Sequence, residues 1–171
     1  MESLSKMFAI ILALTIFILG PLFYAAAKQD QINQNYVYDC TVKFVDMIRV
    51  NGYLSETAYQ SFCNQISTTG NVYEVELIHA HEQLNPIYDD ELKSTGEYSV
   101  VEQCFYTEDI IEQLETGNQI YYFTQGDYIS VRLFNVNESL GGRIQHLITR
   151  TAKEGGQIYV TYGGMIRDEN Y

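Results

Sequence analysis

The fold of this chain is decided by an uncharged apolar run near its N-terminus, MFAIILALTIFILGPLFYAAA, which extends from Met7 to Ala27. About 20 apolar residues in a helix cross the roughly 30 Å hydrocarbon core of a bilayer, because each residue adds about 1.5 Å. The run is long enough to do so. We therefore divide the chain into a transmembrane anchor or signal segment, residues 1–27, and an extracytoplasmic α+β domain, residues 28–171.

The same segment has features of a cleaved signal peptide. Lys6 lies in a short basic N-terminal region, and Gly20-Pro21 is followed by three alanines, so cleavage after Ala27 is an open alternative. Against cleavage, Leu22 to Tyr24 prolong the apolar character beyond the usual length of a signal peptide. We expect a single-pass anchor in the cell membrane, with Lys6 on the cytoplasmic side and the domain outside. The alternative is a secreted domain.

Acidic residues dominate the chain beyond the apolar run. The sequence has 22 Asp and Glu against 10 Lys and Arg, a net charge of -12, and only Glu2 precedes the run. Binding to nucleic acid relies on Lys and Arg that neutralise phosphates. We therefore expect no nucleic-acid partner, and the acidic surface favours solubility.

Apolar periodicity beyond Ala27 predicts that the anchor continues as an amphipathic helix and ends at Asn51-Gly52. Its predicted apolar face consists of Ile32, Tyr36, Val37, Cys40, Phe44, Met47 and Ile48. A second helix is predicted to begin after Ser55, whose side chain is a good N-cap, and to end near residues 68–70. Together with the strands predicted below, these helices predict an α+β fold with an antiparallel sheet packed against the long helix.

Strands and helices are predicted to alternate in the remaining sequence. The predicted elements are a strand over 72–81 closed by Pro86, a loop over 87–96, a strand over 98–105, a helix from Thr107 to Gly117, a hairpin of 120–124 with 128–135, a helix capped by Asn137, and a strand over 157–162 that Gly163-Gly164 ends. Alternation predicts that Ile129, Val131 and Leu133 point inward.

His79-x-His81 is the arrangement that could suggest a metal site. Alternate residues of a strand share a face, so both rings could approach one ion. Zinc needs at least a third protein ligand. Candidates exist in principle, but no spacing singles one out among His146, Glu82, Asp89 and Asp90. We expect two histidines near solvent and no metal ligands.

Sequence spacings typical of catalysis or cofactor binding are absent. The chain contains no G-x-S-x-G nucleophile, no phosphate-binding glycine loop before a helix and no C-x-x-C pair. Pairing of Cys40 with Cys63 would join two helices, but spacing does not fix the disulfide pairing among these two and Cys104. We expect a non-enzyme without a cofactor.

Fifteen tyrosines could form a contact surface, through which the secreted alternative would recognise a protein or a carbohydrate.

Four stretches carry a resemblance through their order along the chain. They are FVDMIRVNGYL (44–54), TGNVYEVE (69–76), GDYISV (126–131) and YGGMI (162–166). In this order they resemble the small membrane-anchored, TadE-like proteins of bacterial tight-adherence (Tad) type IV pilus loci. The resemblance implies a pseudopilin-like or minor pilus component without catalytic residues, whose long N-terminal helix anchors it in the membrane beside other pilus or secretion-assembly proteins.

One departure from that family concerns processing. Typical members carry a prepilin-peptidase site, a Gly followed after a short spacer by Glu, at the start of the apolar run. Here Gly20 is followed by Pro21, and no acidic residue occurs between Met7 and Ala27. This departure argues against cleavage by that peptidase.

Overall fold

The chain folds as α+β, as predicted, with a long N-terminal apolar helix followed by short helices and antiparallel sheets. The computed structural model describes residues 2–88, 94–149 and 158–168. Its elements are α1 (Glu2–Asn51), β1 (Tyr53–Ser55), α2 (Glu56–Ser67), β2 (Tyr73–Tyr88), β3 (Ser94–Tyr106), α3 (Thr107–Thr116), β4 (Ile120–Tyr122), β5 (Tyr128–Asn135), α4 (Leu140–Thr149) and β6 (Tyr159–Met165).

Helix α1 is continuous over 50 residues, which corresponds to about 75 Å. It ends where predicted, because Gly52 adopts a φ of +71°, a conformation that glycine takes without steric cost. Its C-terminal part is buried on the side formed by Val37, Cys40, Thr41, Phe44, Val45 and Ile48. Two residues of the predicted apolar face, Ile32 and Tyr36, are instead exposed. The buried positions in this part of α1 are Asn33 and Val37, so Ile32 and Tyr36 each lie one residue away from the buried side of the helix.

The main sheet has four antiparallel strands in the order β3-β2-β5-β6, and α1 packs across one of its faces. Ile129, Val131 and Leu133 of β5 are fully buried in the core, as predicted. Helix α2 begins after Ser55, whose Oγ accepts a hydrogen bond from Ala58 N. These outcomes follow from local capping and alternation.

The predicted hairpin of 120–124 with 128–135 is wrong. Strand β4 pairs with β1, so that Leu54 lies opposite Tyr121. The backbone N–H of Phe123 donates to Gly52 O at 2.9 Å, which holds β4 beside the end of α1. Gly126 still has the expected positive φ, +96°, but its turn joins the small sheet to the large one.

Strands β2, β3 and β6 extend further than predicted, and β3 begins at Ser94, within the predicted loop. Pro86 does not close β2, because Pro86 lies opposite Tyr98 in a part of the strand that pairs with β3 alone, where a missing N–H is tolerated. Gly163-Gly164 does not end β6, which continues to Met165. A Cβ on Gly163 would lie 2.7 Å from Ile129 O, so this glycine permits the close approach of β5.

Asn137 does not cap α4, contrary to the prediction. Its Oδ1 accepts a hydrogen bond from Val72 N at 2.7 Å, and so it joins the start of β2 to the end of β5. The N-terminus of α4 is satisfied by Ser139, whose Oγ accepts from Gly142 N at 3.1 Å. An N-cap residue immediately precedes the first helical residue, whereas Asn137 lies three positions before Leu140, where α4 begins. Its side chain therefore binds the backbone of Val72 instead of the helix terminus.

Candidate functional site

Three side chains from distant parts of the sequence meet at the edge of the core, and we call them the His–Asp cluster: His79, His81 and Asp127. His79 Nε2 lies 2.9 Å from Asp127 Oδ2, and His81 Nδ1 lies 2.6 Å from Asp127 Oδ1. Alternation along β2 places both histidines on the same face as the fully buried Leu77. Asp127 ends the turn before β5, and its Oδ2 also accepts a hydrogen bond from Thr124 N at 2.7 Å.

The burial of the cluster decides its protonation. Burial lowers the pKa of His79 more than the neighbouring Asp127 carboxylate raises it, so this imidazole is neutral. Burial alone would raise the pKa of Asp127, but hydrogen bonds from Thr124 N–H and from both histidines outweigh it, and the pKa lies below its ordinary value. Asp127 is therefore an ionised carboxylate that is only 3% exposed.

Aromatic rings hold His79 in place. Its Nδ1 lies 2.8 Å from the hydroxyl of Tyr121, and its ring stacks on Phe105 and meets the edge of Phe123. Because the ionised Asp127 accepts only, the Nε2–H of His79 donates to it, and the Tyr121 O–H donates to Nδ1. His81 is different, since 34% of its side chain is exposed.

The predicted positions of the histidines were partly wrong, because His79 is buried rather than near solvent. Of the proposed third ligands, Glu82 and His146 are exposed and away from the cluster, and Asp89 and Asp90 lie outside the described residues. The third group is Asp127, which the sequence analysis missed. Its one local signal is its place beside Gly126, but that pattern predicts a turn rather than a ligand.

The membrane half of α1, Met7 to Ala27, forms a second candidate surface. The most apolar window of this helix has none of its residues buried, and within the described residues α1 is the one helix long and apolar enough to cross a membrane. Phe8 and Phe17 are 77% and 78% exposed. Apolar surface of this extent needs a cover of lipid or protein.

A third surface lies where β2 and β3 pair with each other alone. We call it the ribbon, residues 81–88 and 94–103. On the face turned away from α1, Leu84 lies opposite Val100 and Pro86 opposite Tyr98, and all four are exposed. The next pair on this face is Glu82 and Glu102. The ribbon therefore carries an apolar stripe with two acids at one end.

The three cysteines are not joined by disulfides. Cys40, Cys63 and Cys104 are all free, in buried, half-buried and exposed positions respectively. Burial raises the pKa of the Cys63 thiol, and this disfavours the reactive thiolate. A disulfide between Cys40 and Cys63 is not formed here.

Comparison of the chain with protein-family models, with curated proteins and with solved structures gives no match.

Proposed function

We propose that the chain is a non-enzymatic, membrane-anchored subunit of a bacterial surface pilus or secretion assembly, pseudopilin-like and of the TadE-like kind. The observation that carries this proposal is the division of one continuous helix between two environments. The membrane half of α1 is apolar and uncovered, whereas the same helix from Val37 to Ile48 lies in the core of the domain.

A lipid bilayer is the cover that suits the membrane half. The segment from Met7 to Ala27 carries no charge, and from Met7 to Leu22 its side chains are exposed around the whole helix, whereas Ala26, near the domain, is buried. A single exposed stripe would indicate packing against one protein, but exposure on all sides indicates lipid. The segment also offers few small residues for close helix packing, namely Ala13, Thr15 and Gly20 in its central part. This half therefore acts as a tether.

The domain is held firmly to that tether. The helix does not break between the two halves, and its buried part packs against β6, α2 and α4. Movement of the anchor therefore moves the sheet with it. A rigid rod joined to an antiparallel sheet is the layout that the pilin-like resemblance implies.

The ribbon is the surface that we assign to protein contact. An isolated two-stranded ribbon is marginally stable in water, and the stripe of Leu84, Tyr98 and Val100 leaves apolar surface uncovered. Glu82 and Glu102 are directly opposite each other, and like charges in this position are destabilising. A partner subunit with an apolar patch next to a Lys or Arg would cover the apolar stripe and offset the repulsion between the two glutamates. We therefore expect a partner of that chemistry.

Photo-crosslinking in the native cells tests this proposal. A photoreactive amino acid replaces Val100 on the ribbon or, as a matched control, the exposed Gln60 on α2. We expect a discrete crosslink from position 100 to another membrane or secretion-assembly protein, which a second change, Leu84→Glu, abolishes. No crosslink at position 100, or the same products from position 60, would contradict the assembly role.

The N-terminus of the mature protein separates the anchored form from the secreted alternative. N-terminal sequencing of the cell-associated chain should detect residues before Ala27. A mature chain that begins at Lys28 and is recovered from the medium would support a secreted binding domain instead.

A further inference from the structure

We propose that the His–Asp cluster binds a divalent transition-metal ion of the Zn²⁺ class, with His79 Nε2, His81 Nδ1 and the Asp127 carboxylate as its protein ligands. This inference does not depend on the proposed assembly role. Imidazole nitrogen and carboxylate oxygen are common zinc ligands, and with three protein ligands the fourth tetrahedral position is left for water.

The donor atoms are already close together. All three groups offer a ligand atom within 4.8 Å of the others. The two oxygens of Asp127 each face a different ring nitrogen, at 2.9 Å and 2.6 Å. Bonds of about 2.0–2.2 Å around a tetrahedral ion separate neighbouring donors by about 3.4 Å. The two carboxylate–imidazole distances must therefore widen by about 0.5 Å and about 0.8 Å to admit an ion, and the partly exposed ring of His81 has room to move.

The surroundings orient two of the three ligands. Tyr121 contacts the other ring nitrogen of His79, and Thr124 N–H holds one oxygen of Asp127. Hydrogen bonds of this kind fix the tautomer and direction of metal ligands. When His79 Nε2 coordinates an ion, its proton moves to Nδ1, and the hydrogen bond with Tyr121 reverses so that Nδ1–H donates to the hydroxyl oxygen. The hydrogen bond between His79 and Tyr121 can therefore form with or without a bound ion, and neither side chain has to move.

The local charge favours a cation. The Asp127 carboxylate is buried, and among the described residues the side chains that hydrogen-bond to it are the two histidines. A divalent ion would compensate the buried charge better than neutral imidazole does.

The consequence would be structural. A bound ion would join the middle of β2 to the turn before β5 and, through His79, to Tyr121 of β4. It would thus link the four-stranded sheet to the two-stranded one. The exposed side of His81 would provide the entry path for the ion.

Titration with Co²⁺, a visible-absorbing substitute for Zn²⁺, tests this inference on the full-length chain in detergent after treatment with chelator. We expect one Co²⁺ per chain with the intense absorption of tetrahedral coordination, displacement by Zn²⁺, and a higher melting temperature with metal. His81→Gln should abolish the absorption, whereas His146→Gln, which removes an exposed histidine outside the cluster, should leave it unchanged. Tyr121→Phe should weaken binding about tenfold.

His81 was chosen because it is partly exposed, so its replacement should leave the fold intact, and circular dichroism of the variant verifies this. The inference is overturned if the wild type shows no tetrahedral spectrum, or if a folded His81→Gln chain binds Co²⁺ as the wild type does. Weak octahedral absorption that is equal in all variants would indicate adventitious binding by surface acids, and would also overturn it.

Discussion

Ser139 Oγ donates a hydrogen bond of 2.6 Å to Oδ2 of Asp30, a residue 109 positions earlier in the chain. The same oxygen accepts from Gly141 N at 3.1 Å, so a carboxylate of α1 satisfies the first turn of α4. Asp30 lies three residues after Ala27, where the membrane half ends. Helix α4 is therefore attached to α1 just beyond the end of the apolar run.

Replacing Asp30 with alanine should loosen α4. Loss of a capping acceptor costs about 1 kcal/mol, within a range of about 0.5–2 kcal/mol. Hydrogen exchange of the α4 amides in the full-length chain in detergent should increase, while the amides of β5 keep their protection. Asp30→Asn, which retains an oxygen acceptor, is the matched control and should change exchange less. Equal exchange in Asp30→Ala and wild type would show that this contact does not hold α4.

Leu14→Arg should weaken membrane insertion, because a charge at the centre of a transmembrane helix costs about 2.5–3.5 kcal/mol on insertion scales. Resistance to alkaline extraction of the membrane fraction measures the effect. Gln31→Arg, an exposed position beyond the apolar run, should extract like the wild type. Normal retention of the Leu14→Arg chain would argue against a spanning anchor.

Phe44→Ala should destabilise the domain by about 3–5 kcal/mol, because it removes a large side chain from the core. Phe44 is 5% exposed, and its ring stacks on Phe62 with centroids 4.2 Å apart. Denaturant unfolding followed by circular dichroism gives the change in the free energy of unfolding. Ile32→Ala, on the exposed part of α1, should have a small effect. A loss below about 1 kcal/mol for Phe44→Ala would contradict this packing.

Gly163→Ala should destabilise the sheet, because its Cβ would lie 2.7 Å from Ile129 O, a backbone atom that cannot move away alone. Forced contacts of this kind cost about 1–3 kcal/mol. Thermal unfolding compares this variant with Thr161→Ala, an exposed neighbour on β6. If both variants melt alike, β6 does not approach β5 as closely as described.

Stability should fall between pH 10 and about 12 as Tyr121 ionises. Burial, followed by the Asp127 and Asp109 carboxylates, raises the pKa of Tyr121 from 10.0 to about 12, so the folded state retains a proton that the unfolded chain releases. This contribution is fully present below pH 10 and is lost as the pH rises through the folded pKa. Tyr121→Phe should flatten the decline, whereas Tyr122→Phe, at an exposed position, should not. An identical decline in both variants would refute this assignment.

Local rules predicted much of the fold. Glycine at position 52 ended α1, Ser55 capped α2, and alternation placed Ile129 and its neighbours in the core. These features depend on a residue and its nearest neighbours in sequence, so a single sequence is enough to predict them. The same rules misplaced Asn137, whose side chain found a partner 65 positions away, at Val72, that no local pattern indicates.

The candidate site was predictable only in part. Period-two alternation put His79 and His81 on one face, and this is visible in the sequence. The position of Asp127 was not visible, because 46 positions separate it from His81 and it lies in the turn that joins β4, paired with β1, to β5. The predicted hairpin would have left the same aspartate as an ordinary turn residue.

The sequence by itself determined that this chain has an apolar segment able to span a membrane, an amphipathic continuation of that helix, and an acidic α+β domain. Composition and short-range periodicity carry this information, because hydrophobic burial and helix geometry act over a few residues. Only the tertiary structure decided which part of α1 is covered, that the ribbon extends beyond the sheet, and that one buried carboxylate lies between two histidines. Those relations depend on which distant strands pair, and pairing is selected by the packing of the whole core rather than by any single segment.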